Sequence, residues 1–189
     1  MNQETFIIHK TPISELYWIK RSVIGDHRGS LSRLFCGEEL ARVGFDLAVA
    51  QVNITKTQKK GTIRGLHFQF PPYAEHKLIY CLKGEVFDIA LDLRQDSPTF
   101  LNYHSIILSE KENNAYSIPR GFAHGFQSLT DDVEMLYFHS QPYMKDFESG
   151  INPFDPKINV NWPLAVSEIS ERDKSFFLLD NTFKGVNVK

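Results

Sequence analysis

The sequence has little cysteine and no excess of charge. Its 189 residues include only two cysteines, Cys36 and Cys81, and both lie in apolar surroundings. At most one disulfide bond could form, so we expect two free, buried thiols in a reducing compartment. The net charge of −2 argues against binding of polyanions through overall charge, although a local basic pocket stays open.

Targeting signals, membrane spans and internal repeats are also missing. The N-terminal segment MNQETFIIHK has no basic stretch followed by an apolar one, as a secretory signal would. No apolar run approaches the roughly 20 residues that cross a bilayer as a helix. No repeat, low-complexity tract or Gly/Ser linker divides the chain. We therefore expect one domain, residues 1–189, in a soluble cytoplasmic protein.

What the sequence does contain is an aromatic-rich, alternating pattern typical of β-strands. The 15 phenylalanines and 7 tyrosines favour β-structure. Alternation within GTIRGLHFQF puts His67 and Gln69 on one face and Arg64 on the other. Strands are predicted for residues 48–55, 61–70, 77–82, 85–93, 103–109 and 132–140, with turn residues between several of them. This spacing predicts a β-sandwich or barrel.

Helices are predicted to be few and short. Residues 37–44 (GEELARVG) could form about two turns. A second helix is predicted over 170–178, with Ser170 as its N-cap and Asp173 at the capping-box position. Between them, the Pro- and Asn-rich residues 151–163 predict an extended loop that wraps the sheet.

Histidine directs the search for chemistry, because an imidazole titrates near neutral pH. Of the seven histidines, His9, His27, His104 and His139 have no companions at suggestive spacing, and we assign them to surface or packing roles. His67 differs, since Arg64, Gln69 and Lys77 lie close to it in sequence. Burying these polar groups together without a ligand would leave several of them unpaired, so a functional site is favoured.

His124 lies in IPRGFAHGFQSL, where neighbouring glycines permit a close backbone approach. Together with the earlier Gly-x-His segment, this pattern resembles the two motifs of cupins, which are small jelly-roll barrels. His67, Glu75 and His124 could form a facial triad for a divalent metal ion. However, Gln69 stands where metal-binding cupins have a second histidine, and the ammonium of Lys77 would repel a cation. We therefore favour a site without metal.

A more specific resemblance covers most of the chain, from about Trp18 to about Asp173. The segments that carry it are DHRG, QVNIT, GTIRGLHFQFPP, HKLIYCLKG, DLRQDSPTF, IPRGFAHGFQSL, EMLYF, NWP and SERD. In order and spacing they resemble the dTDP-4-dehydrorhamnose 3,5-epimerase family. The resemblance implies an all-β, cupin-type jelly roll with a few short helices. It also implies an isomerase that needs no cofactor and inverts carbon 3, carbon 5 or both in a nucleoside-diphospho-4-keto-6-deoxy sugar.

The resemblance also implies roles for individual residues. His67 would be the base that removes the carbon-bound proton, and Asp173 would fix its tautomer. Lys77 would face the developing oxyanion, Tyr137 would return a proton from the far side, and His124 would hold the oxyanion or the sugar. The substrate-binding positions would be Arg28, Gln51, Asn53, Arg64, His124 and Tyr143, with Tyr143 stacking on the base.

Family members are commonly homodimers in which an N-terminal strand crosses over, so Arg28 is expected to serve the neighbouring site. The sequence departs from the family pattern at Ser30, Leu31 and Arg33, after DHRG, and at Pro142 before Tyr143. These departures leave the nucleotide and the sugar open. Three alternatives remain: a metal-dependent cupin enzyme, a sugar-nucleotide ketoisomerase and a non-catalytic sugar-nucleotide binding module.

Overall fold

The computed structural model describes residues 4–45 and 48–188, and this part of the chain is built mainly from short strands. Residues 1–3, 46–47 and 189 of the predicted domain lie outside it. The strands are β1 (Phe6–Lys10), β2 (Tyr17–Arg21), β3 (Ile24–Asp26), β4 (Gly29–Leu31), β5 (Gln51–Thr57), β6 (Thr62–Gln69), β7 (Lys77–Lys83), β8 (Glu85–Asp92), β9 (Tyr103–Ser109), β10 (Asn114–Ile118), β11 (Phe122–Ser128), β12 (Val133–His139), β13 (Glu148–Gly150) and β14 (Glu168–Ile169).

Two larger sheets form a sandwich. The first has the strand order β1-β2-β10-β7-β12-β5, and the second has the order β13-β6-β11-β8-β9, with β14 also paired to β6. The hairpin of β3 and β4 forms a separate two-stranded sheet. Consecutive strands repeatedly switch between the sheets, as in a jelly roll. The predicted all-β jelly-roll fold is confirmed.

The space between the sheets holds one apolar core. Because side chains alternate along a strand, β7 places Ile79 and Cys81 in this core while Leu78 and Tyr80 face outward. On β12, Met135 and Tyr137 face inward in the same way. Polar residues that share this inward face therefore lie inside the sandwich.

The outer faces of both sheets are also covered. Leu40, Val43 and Phe45 pack with Leu78 and Tyr80 on the outside of the first sheet. The C-terminal segment covers the second sheet with a buried set formed by Ile151, Ile158, Leu179 and Val186, packed on Leu66, Phe68, Ile89 and Leu91. The predicted loop over residues 151–163 is confirmed, since apart from an isolated bridge at Ile151 it contains no helix or strand.

Both predicted helices exist but are shorter than expected. The first consists of α1 (Gly37–Leu40) followed by a 3-10 turn (Ala41–Val43). The second, α2 (Glu171–Lys174), stops well before residue 178. Ser170 is its N-cap and accepts a hydrogen bond from the backbone N–H of Asp173. Within the described residues, no helix is long and apolar enough to cross a membrane.

Both cysteines are free, as predicted. Cys81 is buried in the core, but Cys36 is only half-buried, because it lies at the N-cap of α1 on the outside of the first sheet. The predicted burial of Cys36 is therefore only partly correct.

Candidate active site

An open cavity of about 270 Å³ lies between the two sheets at one end of the sandwich. Side chains from both sheets line it. They are Gln51, Asn53, Thr55, Arg64, His67, Phe68, Gln69, Glu75, Lys77, His124, Phe126, Tyr137, His139, Tyr143, Glu148 and Arg172. Eight of the ten predicted site residues are in this set, and Asp173 joins it by contacting His67. A wider groove adjoins the cavity and shares Arg64, His67 and Arg172 with it.

Arg64 reaches the cavity because β6 contains an irregularity. His124 on β11 pairs with His67, and Phe126 pairs with Arg64, so β6 uses one residue more than β11 over this stretch. One extra residue reverses which face the following side chains occupy. The predicted placement of Arg64 on the face opposite His67 is therefore wrong, and both residues line the same cavity.

Two glycines permit this irregularity. Gly65 has φ of +112°, and a Cβ atom there would lie 2.6 Å from the Cα of Gly125. A Cβ atom on Gly125 would in turn lie 2.7 Å from the backbone oxygen of Arg64. The strands carrying His67 and His124 thus approach each other closely at a point where no larger residue fits.

His67 and Asp173 form a hydrogen-bonded pair at the edge of the cavity. Nε2 of His67 lies 2.8 Å from Oδ1 of Asp173, while Oδ2 accepts from the backbone N–H of Gly65 at 3.0 Å. Burial alone raises the pKa of Asp173, but the hydrogen bonds from His67 and Gly65 outweigh it and bring that pKa below its usual range. An ionised Asp173 favours the tautomer in which Nε2–H of His67 donates to it, and in that tautomer Nδ1 is the basic nitrogen.

Arg172 is an additional cation beside this pair. Its Nη2 lies 3.1 Å from Nε2 of His67, and its Nη1 donates to Oε2 of Glu148 at 3.0 Å. The same Glu148 oxygen accepts from the hydroxyl of Tyr143 at 3.0 Å. Neither Arg172 nor Glu148 was predicted from the sequence, where the only signal was that Arg172 precedes Asp173 within SERD.

Lys77 lies on the first sheet, facing β6. Its ammonium donates to the backbone oxygen of His67 at 3.2 Å and forms an ion pair with Oε1 of Glu75 at 3.2 Å. The other carboxylate oxygen of Glu75 lies 2.7 Å from Nδ1 of His139. The side chain of Lys77 is only 8% exposed, so its charge acts on the cavity with little screening by water.

His124 is paired with a buried carboxylate that the sequence analysis did not assign. Its Nε2 lies 3.0 Å and 2.9 Å from the two oxygens of Asp88, whose side chain is fully buried. Burial raises the pKa of Asp88 and lowers that of His124, so both groups shift towards their uncharged forms. Asp88 shares the inward face of β8 with apolar Val86 and Ala90, which is the signal that was available.

Tyr137 stands on the first sheet with its ring between two histidines. Ring centroids lie 6.0 Å apart both for Tyr137 and His124 and for Tyr137 and His139. Burial raises the pKa of Tyr137, so the phenol keeps its proton at neutral pH. It is therefore suited to donate a proton rather than to accept one.

The remaining predicted binding residues divide into two groups. Gln51 and Asn53 on β5 line the cavity, and the side-chain oxygen of Gln51 accepts from the backbone N–H of Tyr143 at 2.9 Å. Tyr143 also lines the cavity and is half exposed. Arg28 is different, because it lies on the exposed hairpin of β3 and β4, pairs with Asp26 and is not in the set that lines the cavity.

The residues of the alternative metal triad have other partners. Glu75 pairs with Lys77 and His139, and His124 pairs with Asp88. Within residues 4–45 and 48–188, no group of three or more His, Cys, Asp or Glu side chains is arranged to hold a metal ion.

Comparison with known proteins identifies the family. Residues 10–181 match the family described as dTDP-4-dehydrorhamnose 3,5-epimerase. The chain belongs to this family. The predicted family, and with it an epimerase activity, is confirmed.

Individual relatives agree with this assignment. The chain is 39% identical over 165 residues to a dTDP-4-dehydrorhamnose 3,5-epimerase of Shigella flexneri, covering 87% of this chain and 91% of that protein. It is 34% identical over 161 residues to a dTDP-4-dehydro-6-deoxyglucose 3-epimerase of a Streptomyces species, covering 84% of this chain and 82% of that protein.

A solved structure in the family has nearly the same fold. It is a dTDP-6-deoxy-D-glucose-3,5-epimerase from Legionella pneumophila Philadelphia 1, in complex with dTDP-4-keto-L-rhamnose. The two folds superpose with a TM-score of 0.90 at 33% sequence identity, over 97% of this chain and 99% of the other.

Proposed function

We propose that this epimerase acts on a dTDP-4-keto-6-deoxy sugar and inverts carbons 3 and 5. Both carbons lie next to the ketone, so removal of either proton gives an enolate. Reprotonation from the opposite side inverts the centre. Because a proton leaves and a proton returns, the reaction requires no redox cofactor.

The observation that carries this proposal is the position of base and acid on facing sheets. His67, held by Asp173, lies on β6 of the second sheet, whereas Tyr137 lies on β12 of the first. Both line the same cavity. A sugar ring between them would have the base on one face and a protonated phenol on the other, as inversion requires.

The enolate needs more than a base. A carbon acid beside a ketone lies about a dozen pK units above imidazole, which corresponds to about 16 kcal/mol. We assign Lys77 to the ketone oxygen, because its buried ammonium is a fixed positive charge among the residues that line the cavity. His124 is assigned as a second hydrogen-bond donor, either to the same ketone oxygen or to the sugar.

The nucleotide part of the substrate is assigned to the polar rim. Arg64 and Arg172 both line the cavity and the adjoining groove, and guanidinium groups suit a diphosphate. Gln51, Asn53 and Tyr143 are assigned to the nucleoside, with the half-exposed ring of Tyr143 stacking on the base. A relative from Bacillus anthracis has been solved with TDP bound, which supports a thymidine nucleotide.

We also propose a homodimer in which Arg28 completes the site of the partner. The hairpin that carries Arg28 exposes 66% of Ile24 and 73% of Leu31. β5 is the edge strand of the first sheet, and it exposes Val52 and Ile54 while Gln51 and Asn53 line the cavity. A partner hairpin covering this edge would bury the apolar side chains of both elements and bring Arg28 to the rim.

The test of the reaction is NMR in heavy water with a panel of 4-keto-6-deoxy nucleotide sugars. We expect solvent deuterium at carbons 3 and 5 of the dTDP sugar. His67→Asn should abolish exchange, whereas Tyr137→Phe should permit proton removal but impair inversion. His9→Phe is a matched control, because His9 stacks on Trp18 and does not line the cavity. If no sugar of the panel exchanges, the proposal is wrong.

The same experiment separates the second candidate, a 3-epimerase. A relative with that name matches most of this chain, although at lower identity than the 3,5-epimerase relative from Shigella flexneri. Deuterium confined to carbon 3 with inversion at that centre only would favour the second candidate.

The dimer has its own test. Arg28→Ala and His67→Asn should each lose activity, and mixing them under conditions that exchange subunits should restore it, because one site of each hybrid carries no substitution. A monomer in light scattering, or no recovery on mixing, would contradict a shared site.

A further inference from the structure

Glu75 is a buried carboxylate for which the reaction proposed above has no role. Its side chain is only 9% exposed and lies between Lys77 and His139. Oε1 lies 3.2 Å from the Lys77 ammonium and Oε2 lies 2.7 Å from Nδ1 of His139. All three residues line the cavity. The sequence assigned His139 to a surface or packing role, but the fold places it at the site.

The strand register explains why these groups meet. His139 on β12 and Lys77 on β7 are directly opposite each other in an antiparallel pair. Directly opposite side chains on one face are close neighbours, so a lysine and an imidazole face each other there. Glu75, in the connection between β6 and β7, supplies a negative charge between them.

The charge of Glu75 fixes the hydrogen-bonding state of His139. Burial alone raises the pKa of Glu75, but Lys77 and His139 outweigh it, and the pKa lies below its usual range. An ionised carboxylate only accepts hydrogen bonds, so Nδ1 of His139 carries the proton that lies between them. In a neutral imidazole the other nitrogen, Nε2, is then an acceptor.

An acceptor at this position matches one feature of the sugar. Lys77 is assigned to the ketone oxygen at carbon 4, and His139 is its cross-strand neighbour. The ketone has two neighbouring ring carbons. Carbon 3 bears a hydroxyl group, and carbon 5 bears the methyl group. Only the hydroxyl can donate a hydrogen bond to Nε2.

We propose that His139, positioned by Glu75, accepts a hydrogen bond from the carbon-3 hydroxyl and so determines how the sugar lies over His67. This inference rests on the proposed function and extends it to substrate recognition. His139 is then a substrate-binding residue, and Glu75 is a positioning residue that acts through His139 and Lys77. A site built to bind a hydroxyl discriminates strongly against an analogue that lacks it, because the acceptor is left unpaired.

The test compares two substrates that differ only in this hydroxyl. One is the 4-keto-6-deoxy nucleotide sugar and the other is its 3-deoxy analogue. Deuterium exchange at carbon 5 is followed for both, since that carbon is the same in each. The wild-type protein should prefer the hydroxylated sugar in kcat/KM by about 10- to 100-fold.

His139→Phe keeps an aromatic ring beside Tyr137 but removes the acceptor. We expect this variant to lose the preference, with the loss falling on the hydroxylated substrate. His139→Gln, which retains an acceptor, should recover part of it. His9→Phe should keep the full preference and the wild-type rates.

The role of Glu75 is tested by a double-substitution cycle. Glu75→Gln should reduce the preference, and adding it to His139→Phe should reduce the preference no further, because both act on one hydrogen bond. A merely structural role would lower the rates for both substrates equally and leave their ratio intact.

The outcomes separate this inference from the proposed function. If the wild-type protein exchanges deuterium and His139→Phe retains the full preference, the inference about His139 is wrong while the epimerase proposal stands. If the wild-type protein exchanges neither sugar, the proposed function itself fails.

Discussion

Nη2 of Arg172 lies 3.1 Å from Nε2 of His67, the same nitrogen that lies 2.8 Å from Oδ1 of Asp173. One imidazole nitrogen cannot accept a hydrogen bond from arginine and donate a hydrogen bond to a carboxylate at the same time. Asp173 is ionised and accepts from the backbone N–H of Gly65, so its carboxylate favours a hydrogen on Nε2 of His67. The guanidinium of Arg172 favours the opposite, because it can only donate to that nitrogen. Withdrawal of Arg172 would leave Asp173 as the sole partner of Nε2.

We therefore predict that a diphosphate changes the environment of His67 through Arg172. Added TDP should attract the half-exposed guanidinium, and the ¹⁵N NMR signals of His67 should move towards those of an imidazole with Nε2–H. Arg172→Gln should raise KM about 10- to 100-fold and give the shifted His67 signals without TDP. Identical His67 signals in wild type and variant would contradict this coupling.

Asp173 is predicted to affect turnover more than binding. Asp173→Asn keeps the size of the side chain but removes the charge that holds the His67 tautomer, so kcat should fall about 100- to 10,000-fold. KM should change little. The matched control is Ser170→Ala, which removes the N-cap of α2 but leaves the His67–Asp173 contact in place. Equal losses in both variants would point to a role in folding.

Alternation predicted six of the twelve described strands in the two larger sheets, whereas β1, β2, β10, β11, β13 and β14 were not predicted. Residues 103–109 match β9, and the strands predicted around β6, β7, β8 and β12 differ from the structure by only a few residues. β10 and β11 were missed because every residue in them is buried. A strand covered on both faces has no polar side and therefore shows no alternation.

Site residues could be predicted where the family resemblance named them. They could not be predicted where their position depends on contacts between distant parts of the chain. Arg64 was placed on the wrong face, because an irregularity in β6 cannot be read from periodicity. Asp88 and His139 gain partners that are 36 and 64 residues away in sequence. No local spacing reveals such pairs, and only their position on inward faces of strands could have suggested them.

The buried pair of His124 and Asp88 leads to a prediction about donors. With both groups uncharged, the protonated carboxyl of Asp88 donates a hydrogen bond to Nε2 of His124. The hydrogen of the neutral imidazole is then on Nδ1, so His124 can donate into the cavity. Asp88→Asn can supply an N–H to Nε2 and should keep activity within about 10-fold, whereas Asp88→Leu should lose about 100-fold or more.

Comparison of these two variants isolates the hydrogen bond from the volume of the side chain. Both should show the wild-type circular dichroism spectrum. If Asp88→Leu were as active as Asp88→Asn, His124 would not need its partner, and the donor role assigned to it would be wrong.

Asp92 gives a prediction about stability, away from the site. Its side chain is fully buried and accepts hydrogen bonds from Nε and Nη2 of Arg94 at 2.9 Å and 2.8 Å, and from the hydroxyls of Ser97 and Thr99 at 2.6 Å and 2.7 Å. Burial alone raises the pKa of Asp92, but these donors outweigh it and bring that pKa below its usual range. Removing the charge of Asp92 takes away the buried partner of Arg94 and leaves only its ion pair with the exposed Glu15.

Asp92→Asn should therefore lower the free energy of unfolding by about 3 kcal/mol at neutral pH. Because the folded-state pKa of Asp92 is lowered, the unfolded chain binds more protons in acid, and the contribution is complete only above the unfolded value of about 4. The difference between wild type and variant in urea denaturation should be constant from about pH 7 to 5 and shrink as the pH falls through the lowered pKa. Asp180→Asn, at an exposed turn with Thr182, should leave the unfolding curve unchanged. A difference that persists undiminished in acid would show that packing, and not the charge of Asp92, accounts for the effect.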